Sequence, residues 1–240
     1  MKRFLIVILL MYFSISVWSS WRLFKVGKRY IETSRKYENV RKTYEEVLDV
    51  DQNDREGGDV ESVMASINPN YIAWLKIEDT SIDYPIVHGE SEVYLVTDFQ
   101  GEESISGTLF VSTIQNPFKD RNTVIFGHNM KDGSMFGGLK KYLQKGFYKN
   151  HKTIQINYNG RNEEYTIFSV QIVGENDDRA LAYTFQDSEE YSEFLQIMEE
   201  KSLVETHEKP GAESSIVTLS TCHGTTNRLI IQAYKEEEKK

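Results

Sequence analysis

After Asn68-Pro69 the chain breaks into short runs rich in β-branched and aromatic residues, each parted from the next by turn formers. Trp74-Leu75-Lys76-Ile77 and Ile82-Asp83-Tyr84-Pro85-Ile86-Val87 come first, followed by Thr108 to Thr113 and Thr123 to Phe126. Thr153 to Tyr158 and Glu164 to Val173 flank Asn159-Gly160, a pair that supplies the positive φ angles of a tight hairpin turn. Ser215 to Thr221 and Arg228 to Tyr234 close the series. Runs this short cannot be long helices, and about eight of them must manage their sheet edges, which predicts a closed β-barrel or a sandwich. One helix interrupts them at Ser188 to Ser202, with Ser188 as its expected N-cap and Tyr191, Phe194, Leu195 and Met198 on one face.

The region before Asn68 follows another rule. Phe4 to Trp21 is uncharged and mostly apolar, and its 18 residues make roughly 27 Å of helix, enough to cross a hydrocarbon core. Trp18 and Trp21 fall where an interfacial aromatic belt belongs. No small-x-small cleavage site follows, which favours an uncleaved membrane anchor over 1–27 rather than a signal peptide. Basic residues flank the run on both sides, so the positive-inside count leaves its orientation open. A helical juxtamembrane segment and linker over 28–67 comes next. Tyr37, Val40, Tyr44 and Val47 form a single apolar stripe, Asp49 to Asp59 reads as a break, and Val60 to Ile67 as a short helix. The body is expected at 68–234 and a charged, solvated tail at 235–240.

A net charge of -9 gives nucleic acid no basic stripe to bind. The single cysteine, Cys222, rules out an intramolecular disulfide and a cysteine-rich metal site. It ends the alternating run Ser215-Ile-Val-Thr-Leu-Ser-Thr-Cys222 and is followed by His223-Gly224, so the thiol sits at a strand terminus beside a turn. A buried structural cysteine belongs mid-strand among apolar neighbours; this placement points instead to reactivity. At an ordinary pKa of about 8.5 only some 3% of a thiol is thiolate at pH 7, so a nucleophile needs a cation or a proton carrier nearby. Arg228 can reach it if the two last strands pair across the 223–227 loop; otherwise it is a surface arginine on a strand edge.

Five histidines compete for the proton-transfer role. His128 leaves the strand Asn122-Thr-Val-Ile-Phe through Gly127 and is the favoured one. His223 would point away from the neighbouring thiol by strand alternation, His88 is a weaker version of the same geometry, and His151 and His207 sit among solvated residues. No helical i, i+4 histidine pair marks a zinc site, and no metal or organic cofactor is expected.

These residues resemble the sortase family, and its class B in particular. Thr218-Leu-Ser-Thr-Cys222 with Arg228 downstream is similar to the signature around that family's nucleophile. Gly127-His-Asn-Met130 with Lys131-Asp-Gly-Ser-Met-Phe136 resembles the class B histidine motif. Asn68 to Ile77 and Ile82 to Val87 look like its entry strands, and the similarity runs to Tyr234. The resemblance implies a mainly β protein, a closed sortase-type barrel of about eight strands with N-terminal helices and one helix before the cysteine strand. It also implies a cysteine transpeptidase with Cys222 as nucleophile, His128 as general acid and base, and Arg228 as oxyanion and substrate clamp. Ser220, Thr221 and Leu95 are implied substrate contacts. The implied partners are secreted proteins bearing a C-terminal sorting signal of the Asn-Pro-x-Thr-Asn/Gly kind and a peptidoglycan precursor amine. The implied place is the cell membrane, N-terminus inside and catalytic domain outside. Two departures bear on the sorting motif. Ser112-Thr113-Ile114 stand where many class B members carry an acidic-aromatic-basic stretch, and the turn from Cys222 to Arg228 is shorter than in several relatives. A peptidase that only hydrolyses and an inert binding barrel are the alternatives.

Overall fold

The computed structural model describes residues 2–53 and 60–236. Helices α1 (Lys2–Asn53) and α2 (Val60–Ile67) precede strands β1 (Tyr71–Lys76) and β2 (Asp83–His88), the one-turn helix α3 (Ser91–Tyr94), and strands β3 (Leu109–Val111) and β4 (Asn122–Phe126). A 3-10 segment, Phe136–Leu143, and a one-turn helix α4 (Phe147–Asn150) lead to β5 (Thr153–Tyr158) and β6 (Arg161–Gly174). A second 3-10 turn, Asp178–Leu181, and helix α5 (Ser188–Glu200) precede β7 (Ser215–His223) and β8 (Asn227–Lys235). The strands close into a barrel in the order β1-β2-β3-β4-β7-β8-β6-β5. Closure removes the edges that an open sheet of this size would expose. The expected eight-stranded barrel is what the chain forms.

The β5–β6 hairpin turns on Asn159 (φ 52°) and Gly160 (φ 68°), the two positive angles that its residue pair foretells. The closing strands run two residues further than their sequence pattern suggests at Cys222-His223, because β7 pairs with β8 up to His223↔Asn227. Helix α5 is capped by Asp187, not by Ser188: the Asp187 carboxylate accepts from the Glu189 and Glu190 amides at 2.9 Å. Both residue types cap well, and the one placed to reach two free amides does so. Its apolar face packs on the outside of the barrel with Phe168, Ile216 and Ile230, forming a second core beside the barrel interior.

Helix α1 is continuous where two segments were expected. Its 30–48 stretch docks on the barrel through the foreseen stripe: Tyr37, Val40 and Tyr44 are buried, and Tyr44 stacks on Trp74 at 3.9 Å. Each such side chain contributes about 1.5–3 kcal/mol by leaving water. The apolar side chains described between Phe4 and Phe24, by contrast, stand exposed. Among the described residues no helix is long and apolar enough to cross a membrane. Residue 1 and the side chains at positions 2, 3, 5, 7 and 8 of the expected anchor lie outside those described, as do the side chains at 50–53 and residues 54–59 of the expected linker and 237–240 of the expected tail.

Candidate active site

Strand β7 runs parallel to β4 and antiparallel to β8, so it carries both neighbours of the site. Along β7, Val217 and Leu219 point into the barrel core. Alternation then turns Thr218, Ser220 and Cys222 outward. On β8 the outward residues include Arg228, and Cys222↔Arg228 are direct register partners. Side chains so paired lie about 4.5–5.5 Å apart at Cβ, close enough for a guanidinium to act on what a thiol holds. Pairing across a turn of three residues, Gly224 to Thr226, resolves the arginine's place in favour of the site rather than a solvent edge.

His128 enters from β4. The register Phe126↔Ser220 continues as Gly127 N donates to Ser220 O at 3.2 Å, and the Thr221 hydroxyl donates back to Gly127 O at 2.7 Å. Gly127 has no room for a side chain: a Cβ there would run into the Leu109 side chain and the Phe136 ring. The next two residues are thereby delivered beside the end of β7. The Asn129 amide donates to Cys222 O, and Phe136 N donates to His128 O at 3.0 Å. The His128 ring bonds the Leu95 carbonyl through Nε2 at 2.7 Å. A carbonyl only accepts, so Nε2 carries a proton and Nδ1 is the ring nitrogen left for other chemistry.

Cys222, His128, Arg228, Ser220, Thr221 and Leu95 all line one cavity of about 700 Å³. Cys222 is exposed and His128 and Arg228 are half-buried. The thiol is therefore open to solvent and not walled off in the core. Two polar atoms here are buried without a protein partner, Arg228 Nε and Ser220 Oγ. A buried unmatched donor costs about 1–3 kcal/mol, a cost that a ligand carbonyl or oxyanion would remove. The six residues expected from sequence are thus brought together, with one distinction. Thr221 is buried and its hydroxyl is occupied by Gly127, so it contributes to the site by holding β4 to β7.

Sequence reasoning missed two parts of the site. In the sequence Asn129 stands out only as part of a motif, although its amide holds the Cys222 carbonyl. The β6–α5 connection supplies Asp178, Leu181, Ala182 and Tyr183 to the cavity wall. Asp177 could have marked a turn there, since its carboxylate accepts from Arg179 N, but no local pattern tells that the turn overhangs the thiol. His88 lies off the cavity lining, its Nε2 3.2 Å from the Ser112 carbonyl, and His151 stacks on Phe147.

The sortase domain family matches residues 75–236. The chain is 35% identical to sortase B of Listeria monocytogenes over 161 residues, which are 66% of this chain and 65% of that protein. It is 28% identical to sortase B of Staphylococcus aureus over 243 residues, 97% of each. The fold also superposes on a Staphylococcus aureus sortase B–substrate complex with a TM-score of 0.80, covering 88% of this chain and all of that one; at 24% identity this is a likeness of fold. With an open cysteine facing an arginine across a strand pair, and a histidine delivered beside them, the chain belongs to the sortase family of cysteine transpeptidases, in its class B branch.

Proposed function

We propose that the chain cleaves a C-terminal sorting signal and transfers the secreted protein that carries it to an amine of a peptidoglycan precursor. The observation that carries this reading is the convergence of Cys222, His128 and Arg228 on one open cavity. In the proposed cycle the Cys222 thiolate attacks the scissile carbonyl carbon, and the resulting oxyanion is held by the Arg228 guanidinium. The C–N bond then breaks as protonated His128 gives its proton to the leaving amine, and a thioester remains on sulfur. An incoming amine attacks that carbonyl, returns a proton to His128 and expels the thiolate. Atoms and charge balance without a cofactor.

The cavity wall supports an extended peptide ligand, with Phe110, Phe126 and Leu181 offering apolar surface beside the unpartnered Ser220 hydroxyl. The sorting pentapeptide is proposed to be of the Asn-Pro-x-Thr-Asn/Gly kind, with Ser220 and Leu95 as contacts. The proposed organisation is an anchor over 1–27, a juxtamembrane segment over 28–67, the catalytic domain over 68–234 and a tail over 235–240. The N-terminus lies inside and the barrel outside, in keeping with sortases as cell-surface enzymes. The uncharged run Phe4 to Trp21 supports the anchor.

Cys222→Ala and His128→Ala are expected to abolish cleavage of such a peptide, by about 10⁴-fold or more, in a protein that still folds. Normal cleavage by Cys222→Ala would end the assignment. Adding an amine acceptor and weighing the products separates transfer from hydrolysis: a ligated product is expected, and release of the free acid alone would make the chain a peptidase.

A further inference from the structure

Helix α1 does more than lie against the barrel. On successive positions of one face, Thr33, Lys36 and Tyr37 all reach the 94–108 loop. The Lys36 ammonium donates to Asp98 Oδ2 at 2.7 Å and to Glu102 Oε2 at 2.5 Å. Asp98 is buried, and its other oxygen accepts from the Gln100 and Glu102 amides, so the ion pair ties α1 to the turn at the loop's centre. The Tyr37 hydroxyl donates to the Gly107 carbonyl at 2.5 Å. Burial pushes that phenol well above its usual pKa, which keeps the donor proton in place.

The same loop meets His128 at its other side. Thr108 N donates to Tyr94 O at 2.8 Å, drawing the loop's two ends together. Gly107, at φ 57°, lies directly beneath the Leu95 carbonyl and the imidazole: a Cβ there would stand 2.5 Å from Tyr94 O, 3.0 Å from Leu95 O and 3.2 Å from His128 Cδ2. The Leu95 carbonyl is the hydrogen-bond partner of His128 Nε2. A continuous path of contacts thus leads from the docked half of α1, through one glycine peptide, to the ring nitrogen that must hold its proton for the other to stay free.

We infer that α1 is a strut for the imidazole, with Tyr37 and Lys36 as positioning residues that hold the Leu95 carbonyl where it fixes the Nε2–H tautomer of His128. Tyr37 and Lys36 touch neither sulfur nor substrate and act through the loop. The consequence for turnover rests on the proposed role of His128; the tautomer does not.

The test uses the full chain in detergent with ¹⁵N-labelled histidine, comparing wild type with Tyr37→Phe, Lys36→Met and Lys36→Arg. Tyr37→Phe keeps the ring packed edge-on against Tyr84 and removes only the hydroxyl. Wild-type His128 at high pH is expected to show ring shifts of a protonated Nε2 and a bare Nδ1. In Tyr37→Phe and Lys36→Met those shifts should move toward a tautomer mixture, with kcat down about tenfold and KM within about twofold, while Lys36→Arg restores both. An Nδ1–H tautomer in the wild type, or unchanged His128 shifts in both Tyr37→Phe and Lys36→Met, overturns the strut. If the shifts move as expected but the wild type turns over no peptide, the strut stands and the transpeptidase reading falls.

Discussion

The outward face of the β7–β8 pair is built from one register and yet behaves as two regions. Midway along, Thr218 faces Gln232 under the Asp178–Leu181 turn, and every reach of these polar groups ends on a protein partner. The Thr218 hydroxyl donates to Asn122 Oδ1 at 2.8 Å, and the Gln232 amide donates to Ala180 O and lies 3.3 Å from Thr218 Oγ1. Two and four residues along, Ser220 and Cys222 face Ile230 and Arg228, and there the Ser220 hydroxyl and Arg228 Nε have none. The two stretches share the same pair of strands. They differ in whether polar atoms are spent on the fold or kept for something that arrives. Satisfied polar groups in a core specify structure; unsatisfied ones at a cavity mark a ligand's place.

Substitutions can break or sharpen that contrast. Of the three substitutions that bear on the contrast, Arg228→Lys has the largest expected effect: kcat/KM should fall about 10²–10³-fold, because an ammonium cannot present the guanidinium's fixed fork to an oxyanion. The denaturation midpoint should barely move, since Arg228 Nε has no hydrogen-bond partner among the described residues. Thr218→Val is the converse. It keeps the shape, strands the Asn122 and Gln232 partners, and should cost about 1–3 kcal/mol in urea unfolding with kcat unchanged. If Thr218→Val lowered kcat as strongly as Arg228→Lys, the two stretches would be one functional unit and the contrast would collapse. Ser220→Ala is the smallest: removing an unmatched buried hydroxyl should leave stability within about 0.5 kcal/mol, while KM for a sorting peptide rises a few-fold if the hydroxyl meets substrate. A marked loss of stability would show that Ser220 belongs with the structural stretch.

Local chemistry made much of this legible. Asn159-Gly160 foretold its hairpin, the spacing of Tyr37, Val40 and Tyr44 foretold which side of α1 docks, and the alternation Thr218-Leu219-Ser220-Thr221-Cys222 foretold which neighbours share a face. Where the reading slipped, two local options were nearly equal. Ser188 and Asp187 are both good caps, and only the path into the helix selected Asp187. Turn-forming residues predict a break after Leu48, while the backbone stays helical to Asn53. The 3-10 turn over the cavity escaped notice because its value lies in where it sits, not in its own pattern.

By itself the sequence determined the eight strands, which of their residues share a face and the identity of one possible nucleophile, since these follow from side-chain period, turn residues and a single cysteine. It also carried the order of motifs that resembles a family. Only the tertiary structure decided that Arg228 lies across from Cys222, that Asn129 holds its carbonyl, and that α1 reaches the loop behind His128. Those are contacts between residues far apart in the chain, set by barrel closure and register, and no local periodicity encodes which distant strand ends will meet.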